Sequence, residues 1–156
     1  MGEGGAVLDN VVKLHEDPEV VVAPAVADEI DYGIEVGLPF LEASIERDSR
    51  NVPMERVLAN IRERRSVVWL VFIAGEPVAA FTTAIMQHPM RQTLFIEHLG
   101  GSRISEWMQE ALEAIVELAR KAELSGIEAD GRLGFEKYLD KCGFFKKTYV
   151  HFEMEL

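Results

Sequence analysis

The sequence has little of what marks exported, disulfide-bonded or membrane-spanning proteins. Its 156 residues include a single cysteine, Cys142, which excludes an internal disulfide and a zinc site built from several cysteines. No apolar run reaches the ~20 residues needed to cross a bilayer, and residues 1–5 lack the charged and apolar regions of a signal peptide. We therefore expect a cytoplasmic protein with no membrane partner.

Positive charge is also scarce. The chain carries 16 Lys and Arg against 27 Asp and Glu, for a net charge of −11, and the acidic residues are spread along its length. Because phosphate binding requires clustered cations, nucleic acid is not expected as a partner. The densest basic group, Arg62, Arg64 and Arg65, falls at the end of a predicted helix, where it complements the helix dipole.

What the chain does contain is enough apolar material for one domain of ordinary size, since 48% of its residues are hydrophobic. The apolar residues of 1–18 do not repeat with a sustained helical or strand period. We therefore predict a flexible N-terminal arm there and a single domain over residues 19–156. Three aliphatics of the arm, Val7, Val11 and Leu14, share one helical face. This face indicates a segment that docks against another protein.

Six apolar stretches of the domain have the pattern of strands. They begin at residue 20, form a buried hairpin over 67–74 and 78–86 with a Gly75-Glu76-Pro77 turn, and continue over 93–99, 127–129 and 149–156. The last stretch alternates strictly, so Val150, Phe152 and Met154 should face the core.

Four stretches have helical spacing. The first starts at Ile30 and should be broken by Gly33, Gly37 and Pro39. The others follow Pro53, run as a long apolar stripe over 108–122, and cover 135–142. The order of strands and helices predicts a mixed α/β (α+β) fold.

This order, together with short motifs, resembles the Gcn5-related N-acetyltransferase (GNAT) superfamily over roughly residues 20–156. Residues 138–144, Tyr-Leu-Asp-Lys-Cys-Gly-Phe, look like the family's Phe-Tyr-x-Lys-x-Gly-Phe segment. Gly100-Gly101-Ser102-Arg103, Glu106-Trp107 and residues 130–135 are similar to the small branch carried by tailed bacteriophages. The resemblance implies a GNAT-like acyl-CoA N-acyltransferase fold, with a central mixed sheet of about six to seven strands flanked by about four helices.

The resemblance also implies that acetyl-coenzyme A (acetyl-CoA) binds beyond the strand at 93–99, with its pyrophosphate at the start of the next helix. The residues that would bind it are Leu99, Gly100, Gly101, Ser102, Arg103, Ile104 and Ser105. In one register Gly100, Gly101 and Ser102 form the phosphate cradle and Ser105 caps the helix. In the other, the family's glycine motif falls on Arg103-x-x-Glu106-x-Met108, which places a carboxylate beside a phosphate. The sequence leaves both registers open.

The catalytic residues that the resemblance implies are Glu97, His98 and Tyr138; no metal is expected. Glu97 and His98 end the strand that would flank the thioester. Neighbouring strand residues should point to opposite faces, so only one of the two could deprotonate an amine, and His98 has the suitable pKa intrinsically. Tyr138 stands one residue before Leu139, the position at which the family usually carries its tyrosine general acid.

Two functions follow from these patterns. One is an acetyl-CoA-dependent N-acetyltransferase whose acceptor is a small-molecule amine or a basic peptide, attracted by the acidic surface. The other is a catalytically lapsed GNAT-fold protein that serves as a structural or interaction component of a phage particle, in the host cytoplasm or in the virion. The strand–loop–helix arrangement and the Glu97–His98 pair favour the first, whereas Leu139 at the tyrosine position favours the second.

Overall fold

A computed structural model gives the fold of the chain and describes residues 18–48, 50–130, 137, 148 and 152–156. Residues 1–17 of the predicted arm lie outside these ranges. So do the predicted helix over 135–142, apart from Lys137, the candidate catalytic residue Tyr138, and residues 149–151 of the predicted closing strand. The division into arm and domain therefore stays a prediction.

The described residues form one five-stranded mixed sheet with three α-helices. The strands are β1 (Val20–Ala25), β2 (Ser66–Ile73), β3 (Glu76–Gln87), β4 (Gln92–Gly101) and β5 (Gly126–Ala129). The helices are α1 (Ile30–Glu46), α2 (Met54–Arg62) and α3 (Ile104–Lys121), and a 3₁₀ turn over Ala27–Glu29 precedes α1. The predicted α/β class is present, whereas the larger count of six to seven strands and four helices is not confirmed by these residues.

The strands lie in the order β1-β2-β3-β4-β5. All neighbours are antiparallel except β4 and β5, which are parallel. The predicted hairpin of β2 and β3 is confirmed, but its turn is Ala74-Gly75, where φ is 51° and 81°, rather than the predicted Gly75-Glu76-Pro77, because β3 already starts at Glu76. Two successive positive φ angles fit a type I′ turn, whose twist matches that of the flanking strands.

Each face of the sheet buries a separate apolar cluster. α3 covers the face on which Trp69 and Phe81 stack with centroids 5.5 Å apart, and Trp107 of α3 stacks on Phe81 at 6.5 Å. α1 and α2 cover the other face, where Val68 and Leu70 are buried. The sheet is therefore the middle layer of three. None of the helices in the described ranges is both long and apolar enough to span a bilayer.

α1 is one continuous helix of 17 residues with Pro39 inside it, so the predicted break is wrong. Gly33 and Gly37 are contact residues rather than helix breakers. A Cβ on Gly33 would lie 2.3 Å from the Ala25 Cβ, and one on Gly37 would lie 3.1 Å from Val68 Cγ1. Burial against the sheet stabilises α1 and offsets the single hydrogen bond that Pro39 cannot donate.

The prediction for the chain's last residues is also wrong where they are described. Residues 152–156 have no regular secondary structure, and Phe152 and Met154 are 87% and 85% exposed. Strict alternation shows that the two faces of a segment differ in polarity. It does not show whether a neighbouring strand is present to pair with the segment and bury its apolar face.

Candidate functional site

A β-bulge lies at Glu97, in the second half of β4. The antiparallel register pairs Thr82 with His98 and the next β3 residue, Thr83, with Ile96. Glu97 is therefore an extra residue with no partner on β3. Such a residue bends its strand and redirects the side chains on either side of it.

The bulge places Glu97 and His98 on the same face of the sheet, the one covered by α1 and α2. The Glu97 carboxylate accepts a hydrogen bond from Ser66 Oγ of β2 at 2.8 Å. His98 Nδ1 lies 3.8 Å from Asp48 Oδ2 in the loop between α1 and α2. The prediction that the two side chains point to opposite faces is wrong, because the alternation that it assumes is interrupted by the extra residue.

Glu97 and His98 share a cavity of about 60 Å³. Its other lining residues are the polar Arg50, Asn60 and Ser66 and the apolar Val52 and Val57. This volume is well below that of a typical ligand pocket, roughly 300–1,000 Å³. It accommodates a small polar group or a few waters, so a larger ligand would reach it with one functional group only.

The loop between α1 and α2 supplies a second carboxylate next to this cavity. Asp48 follows α1, and Arg50 binds it through the backbone N–H at 2.9 Å, through Nε and through Nη2 at 2.6 Å. These hydrogen bonds hold the pKa of Asp48 below its ordinary value. The Arg50 guanidinium also lies over the Phe95 ring of β4, 5.6 Å from its centroid. Asp48 is thus ionised and fixed in place.

His98 is almost fully enclosed, with 5% of its surface exposed. Burial lowers its pKa from the ordinary value of 6.5, while the neighbouring carboxylates of Glu97 and Asp48 act in the opposite direction. Its Nδ1 is buried and has no hydrogen-bond partner among the described residues, and the same is true of Oγ1 of the cross-strand Thr82. The ring is therefore neutral at pH 7 and able to accept a proton.

β4 and β5 separate beside these residues. The parallel pairing joins residues 93–96 of β4 to Gly126–Ala129, and β5 ends there. β4 continues from Glu97 to Gly101 without a β5 partner in the described ranges. An opening in the sheet thus starts at the bulge.

The predicted cofactor-binding residues lie at the end of β4 and the start of α3. Leu99, Gly100 and Gly101 are strand residues paired with β3, and Ser102 N–H donates to Val78 O. Arg103 is the N-cap of α3 with a left-handed φ of 59°, and Ile104 and Ser105 are its first helical residues. The prediction that Ser105 caps α3 is wrong, because strand pairing continues through residue 101 and the helix begins directly after Arg103.

The start of α3 has unpaired donors. No side chain caps it, and within the described part of the chain no acceptor is found for the N–H groups of Ile104 and Ser105. Arg103 binds Glu106 through two hydrogen bonds, Nε to Oε2 at 2.5 Å and Nη2 to Oε1 at 2.9 Å. This pairing lowers the pKa of Glu106. Glu106, the carboxylate that the second predicted register would place beside a phosphate, is therefore paired with the Arg103 guanidinium.

A second polar cluster, around Glu128 of β5, lies further from the bulge. Its carboxylate accepts a hydrogen bond from Thr93 Oγ1, lies 2.6 Å from His88 Nε2, and is 3.5 Å from the Arg91 guanidinium. The hydrogen bonds from Thr93 and His88 lower the pKa of Glu128. The cluster joins the β3–β4 turn to β5 and does not line the cavity of Glu97 and His98.

Three residues of the site were not predicted from the sequence, namely Asp48, Arg50 and Ser66. Asp48 and Arg50 follow a helix and read as an ordinary polar loop, and Ser66 reads as the first residue of a strand. Only the fold brings them to β4, more than 30 residues further along the chain. The charged residues in the loop before Pro53 were the one sequence feature that could have indicated a functional loop, and such a feature is weak evidence because most loops are polar.

Comparisons with known proteins give a fold. No protein-family model matches the chain, and no curated protein sequence matches it. Solved structures do. An aminoglycoside acetyltransferase from an uncultured soil metagenomic sample, in complex with trehalose, has a TM-score of 0.63 at 13% identity, covering 88% of this chain and 96% of its own. A predicted acetyltransferase with acetyl-CoA from Clostridium acetobutylicum has a TM-score of 0.62 at 14% identity, with coverage of 88% and 96%.

The glucosamine-6-phosphate N-acetyltransferase of Arabidopsis thaliana is similar as well, with a TM-score of 0.59 at 12% identity over 87% of this chain and 98% of its own. The chain has a GNAT-like α/β fold. Identities this low establish the fold alone, since one fold can carry several functions. The function has to be argued from the site.

Proposed function

We propose that this protein is an acetyl-CoA-dependent N-acetyltransferase that transfers the acetyl group to an amine at the cavity of Glu97 and His98. The observation that carries the proposal is the β-bulge at Glu97. It brings a carboxylate and a buried imidazole to one cavity, at the point where β4 and β5 stop pairing. A base and an opening for a reactive group are thereby adjacent.

The residues at the start of α3 fit the phosphates of the donor. The unpaired N–H groups of Ile104 and Ser105 and the Arg103 guanidinium are anion donors at a helix N-terminus. Glycine at positions 100 and 101 is explained by packing alone. A Cβ on Gly100 would lie 1.9 Å from Phe40 O, and one on Gly101 would lie 2.4 Å from Val78 O. We therefore assign the phosphate contacts to Arg103, Ile104 and Ser105. Leu99, Gly100, Gly101 and Ser102 would form the wall beside the opening.

When bound, acetyl-CoA supplies the acetyl group as an activated thioester. The side chains of this protein prepare the amine. Glu97, held by Ser66, attracts the acceptor in its ammonium form, and the neutral His98 ring accepts the proton that the amine must lose before it attacks. The nitrogen forms its new bond to the acetyl carbon as the carbon–sulfur bond breaks, and the second proton that the nitrogen loses balances the one that the departing sulfur gains. Tyr138 as the acid that protonates the departing thiolate stays a prediction.

The acceptor is a small-molecule amine or a basic peptide. A cavity of about 60 Å³ holds the amino group and leaves the rest of the acceptor outside. The net charge of −11 favours a cationic molecule over an anionic one. Aminoglycosides belong to this class, and an acetyltransferase of this fold is named for them.

The alternative, a catalytically lapsed component of a phage particle, has no such support. The similar structures named above are acetyltransferases, and nothing in their names points to a phage origin or an assembly role. The enclosed imidazole next to two carboxylates, in a shared cavity, favours acid–base chemistry over a purely structural role. We retain the phage component only as the function to consider if catalysis fails.

The proposal is tested by mixing the purified wild-type chain with acetyl-CoA and a panel of amines, and by following thiol release. The panel should contain an aminoglycoside, glucosamine 6-phosphate, a polyamine and a lysine-rich peptide. We expect release above the rate without protein for at least one cationic amine. Release that matches the blank for every amine, together with no heat of acetyl-CoA binding in calorimetry, would overturn the proposal.

A further inference from the structure

Asp48 and His98 form a buried pair that no sequence motif predicts. Their side chains are 9% and 5% exposed, and Asp48 Oδ2 lies 3.8 Å from His98 Nδ1. This separation is slightly too long for a hydrogen bond. A movement of the imidazole by about 0.6 Å would bring the two atoms within hydrogen-bond distance, and Nδ1 has no other partner among the described residues. The carboxylate is therefore the acceptor available to an Nδ1–H.

We propose that Asp48 is a positioning residue for His98, which keeps the imidazole in the tautomer protonated at Nδ1 and leaves Nε2 to accept the proton of the acceptor amine. The proposal rests on the proposed function and deepens it. An ionised carboxylate can only accept a hydrogen bond. An imidazole that faces it must place its proton on the nearer nitrogen, and the lone pair is then on the other.

Arg50 has a defined part in this arrangement. It binds Asp48 through three nitrogen atoms and so fixes the carboxylate in place, with Nη2 bound to the same Oδ2 that faces His98. A carboxylate held in this way does not take the proton from the ring, because the hydrogen bonds from Arg50 keep its pKa low. Asp48 therefore orients the imidazole without competing with it for the proton.

The other groups around His98 are consistent with this assignment. In the described part of the chain the charged groups that act on it are Asp48 and Arg50 from the α1–α2 loop and Glu97 from its own strand. Glu97 is hydrogen-bonded to Ser66. The cross-strand Thr82 has no charge. Of these two carboxylates, Asp48 is the one that lies within 4 Å of a His98 ring nitrogen.

The first test does not depend on catalytic activity. Long-range ¹⁵N–¹H NMR of the wild-type chain reports which nitrogen of each neutral histidine carries the proton, and His98→Gln identifies the His98 signals. We expect His98 to be protonated at Nδ1 at pH 7.5. A His98 ring protonated at Nε2 would overturn the inference, whatever the outcome of the acetylation assays.

The second test separates a positioning role from a structural one. Asp48→Asn has the same shape but can donate to Nδ1, and it should shift His98 toward the other tautomer. We expect kcat to fall by about tenfold or more with KM changed much less. Asp28→Asn, on an exposed carboxylate of the 3₁₀ turn, is the matched control. Asp48→Glu should restore part of the rate.

The outcomes of the two tests are distinct. If Asp48→Asn leaves the His98 tautomer and kcat unchanged, Asp48 is not a positioning residue even if the wild type is an active acetyltransferase. If the wild type shows the Nδ1–H tautomer but no acetyl transfer, the proposed function fails while the Asp48–His98 relation stands. If Asp48→Asn does not fold, the wild-type tautomer alone decides.

Discussion

The carbonyl oxygen of Phe40 in α1 occupies the space in which residue 100 of β4 would carry a side chain. A Cβ on Gly100 would lie 1.9 Å from that oxygen, a distance that no packed structure accommodates. Glycine at position 100 therefore lets α1 approach the sheet closely enough to place Asp48, just beyond its end, beside His98. The packing of one helix on one strand thus sets the geometry of the site.

Gly100→Ala should destabilise the protein strongly. The added methyl group meets backbone rather than a flexible side chain, so α1 must move away from the sheet, and we expect a loss of about 2–3 kcal/mol in the free energy of unfolding. Gly126→Ala is the matched control, because its Cβ would find Thr93 Cγ2 at an ordinary 3.8 Å. Urea denaturation of both variants is the measurement. Equal midpoints would show that α1 does not pack on β4 as described.

Trp107 has two separable contributions to stability. Its ring is fully buried on Phe81, and its Nε1–H donates to Ser102 O at 2.8 Å. Trp107→Phe keeps most of the stacking and loses the hydrogen bond, at about 1–2 kcal/mol, whereas Trp107→Ala should cost about 3–5 kcal/mol. Thermal unfolding distinguishes the two. A phenylalanine variant as unstable as the alanine variant would contradict this division.

Stability should decrease as the pH falls below about 6.5. The unfolded chain takes up a proton on His98 near its ordinary pKa of 6.5, whereas the folded chain, in which burial lowers that pKa, does so only at lower pH. The unfolded state is therefore favoured by up to about 1.4 kcal/mol per pH unit between the two values. Urea unfolding of the wild type and His98→Gln at pH 7.5, 6.5 and 5.5 tests this. Parallel pH dependences would contradict the burial of His98.

Arg103 should contribute to the affinity for acetyl-CoA. Arg103→Ala removes a cation from the start of α3 and leaves the Glu106 carboxylate unpaired, so we expect affinity to fall about tenfold or more. Arg103→Ala combined with Glu106→Gln should recover part of the loss. Arg120→Ala, in the last turn of the same helix, is the control for charge alone. Calorimetry in which all three variants bind like the wild type would place the phosphates elsewhere.

Much of the fold could be predicted because its signals are local. The β2–β3 hairpin consists of two apolar runs on either side of Gly75, and the apolar stripe of α3 repeats along a helix of 18 residues, so both elements are visible in the sequence. Gly33, Gly37 and Pro39 were misinterpreted as helix breakers. In the sequence, a glycine that permits close helix–sheet contact cannot be distinguished from one that interrupts a helix. Only the partner surface distinguishes the two.

The site was predictable only in part. Glu97 and His98 were candidates by their place at the end of β4, but their common face depends on a bulge. An inserted residue shifts the alternation by one position, but in a strand this short the sequence does not show where the shift occurs, because the register is fixed by the neighbouring strand. Asp48 was not found at all, since its relation to His98 spans 50 positions of sequence and depends on the path of α1.

The acetyl-transfer rate of His98→Gln, compared with that of His88→Gln, tests the proposed chemistry most directly. His88 is bound to Glu128 outside the cavity, so the two variants remove the same kind of side chain from different places. We predict that His98→Gln lowers kcat/KM for the best amine by about 10²-fold or more, while His88→Gln stays within about threefold of the wild type. Equal rates for the two variants and the wild type would contradict the assignment of the cavity as the site of acetyl transfer.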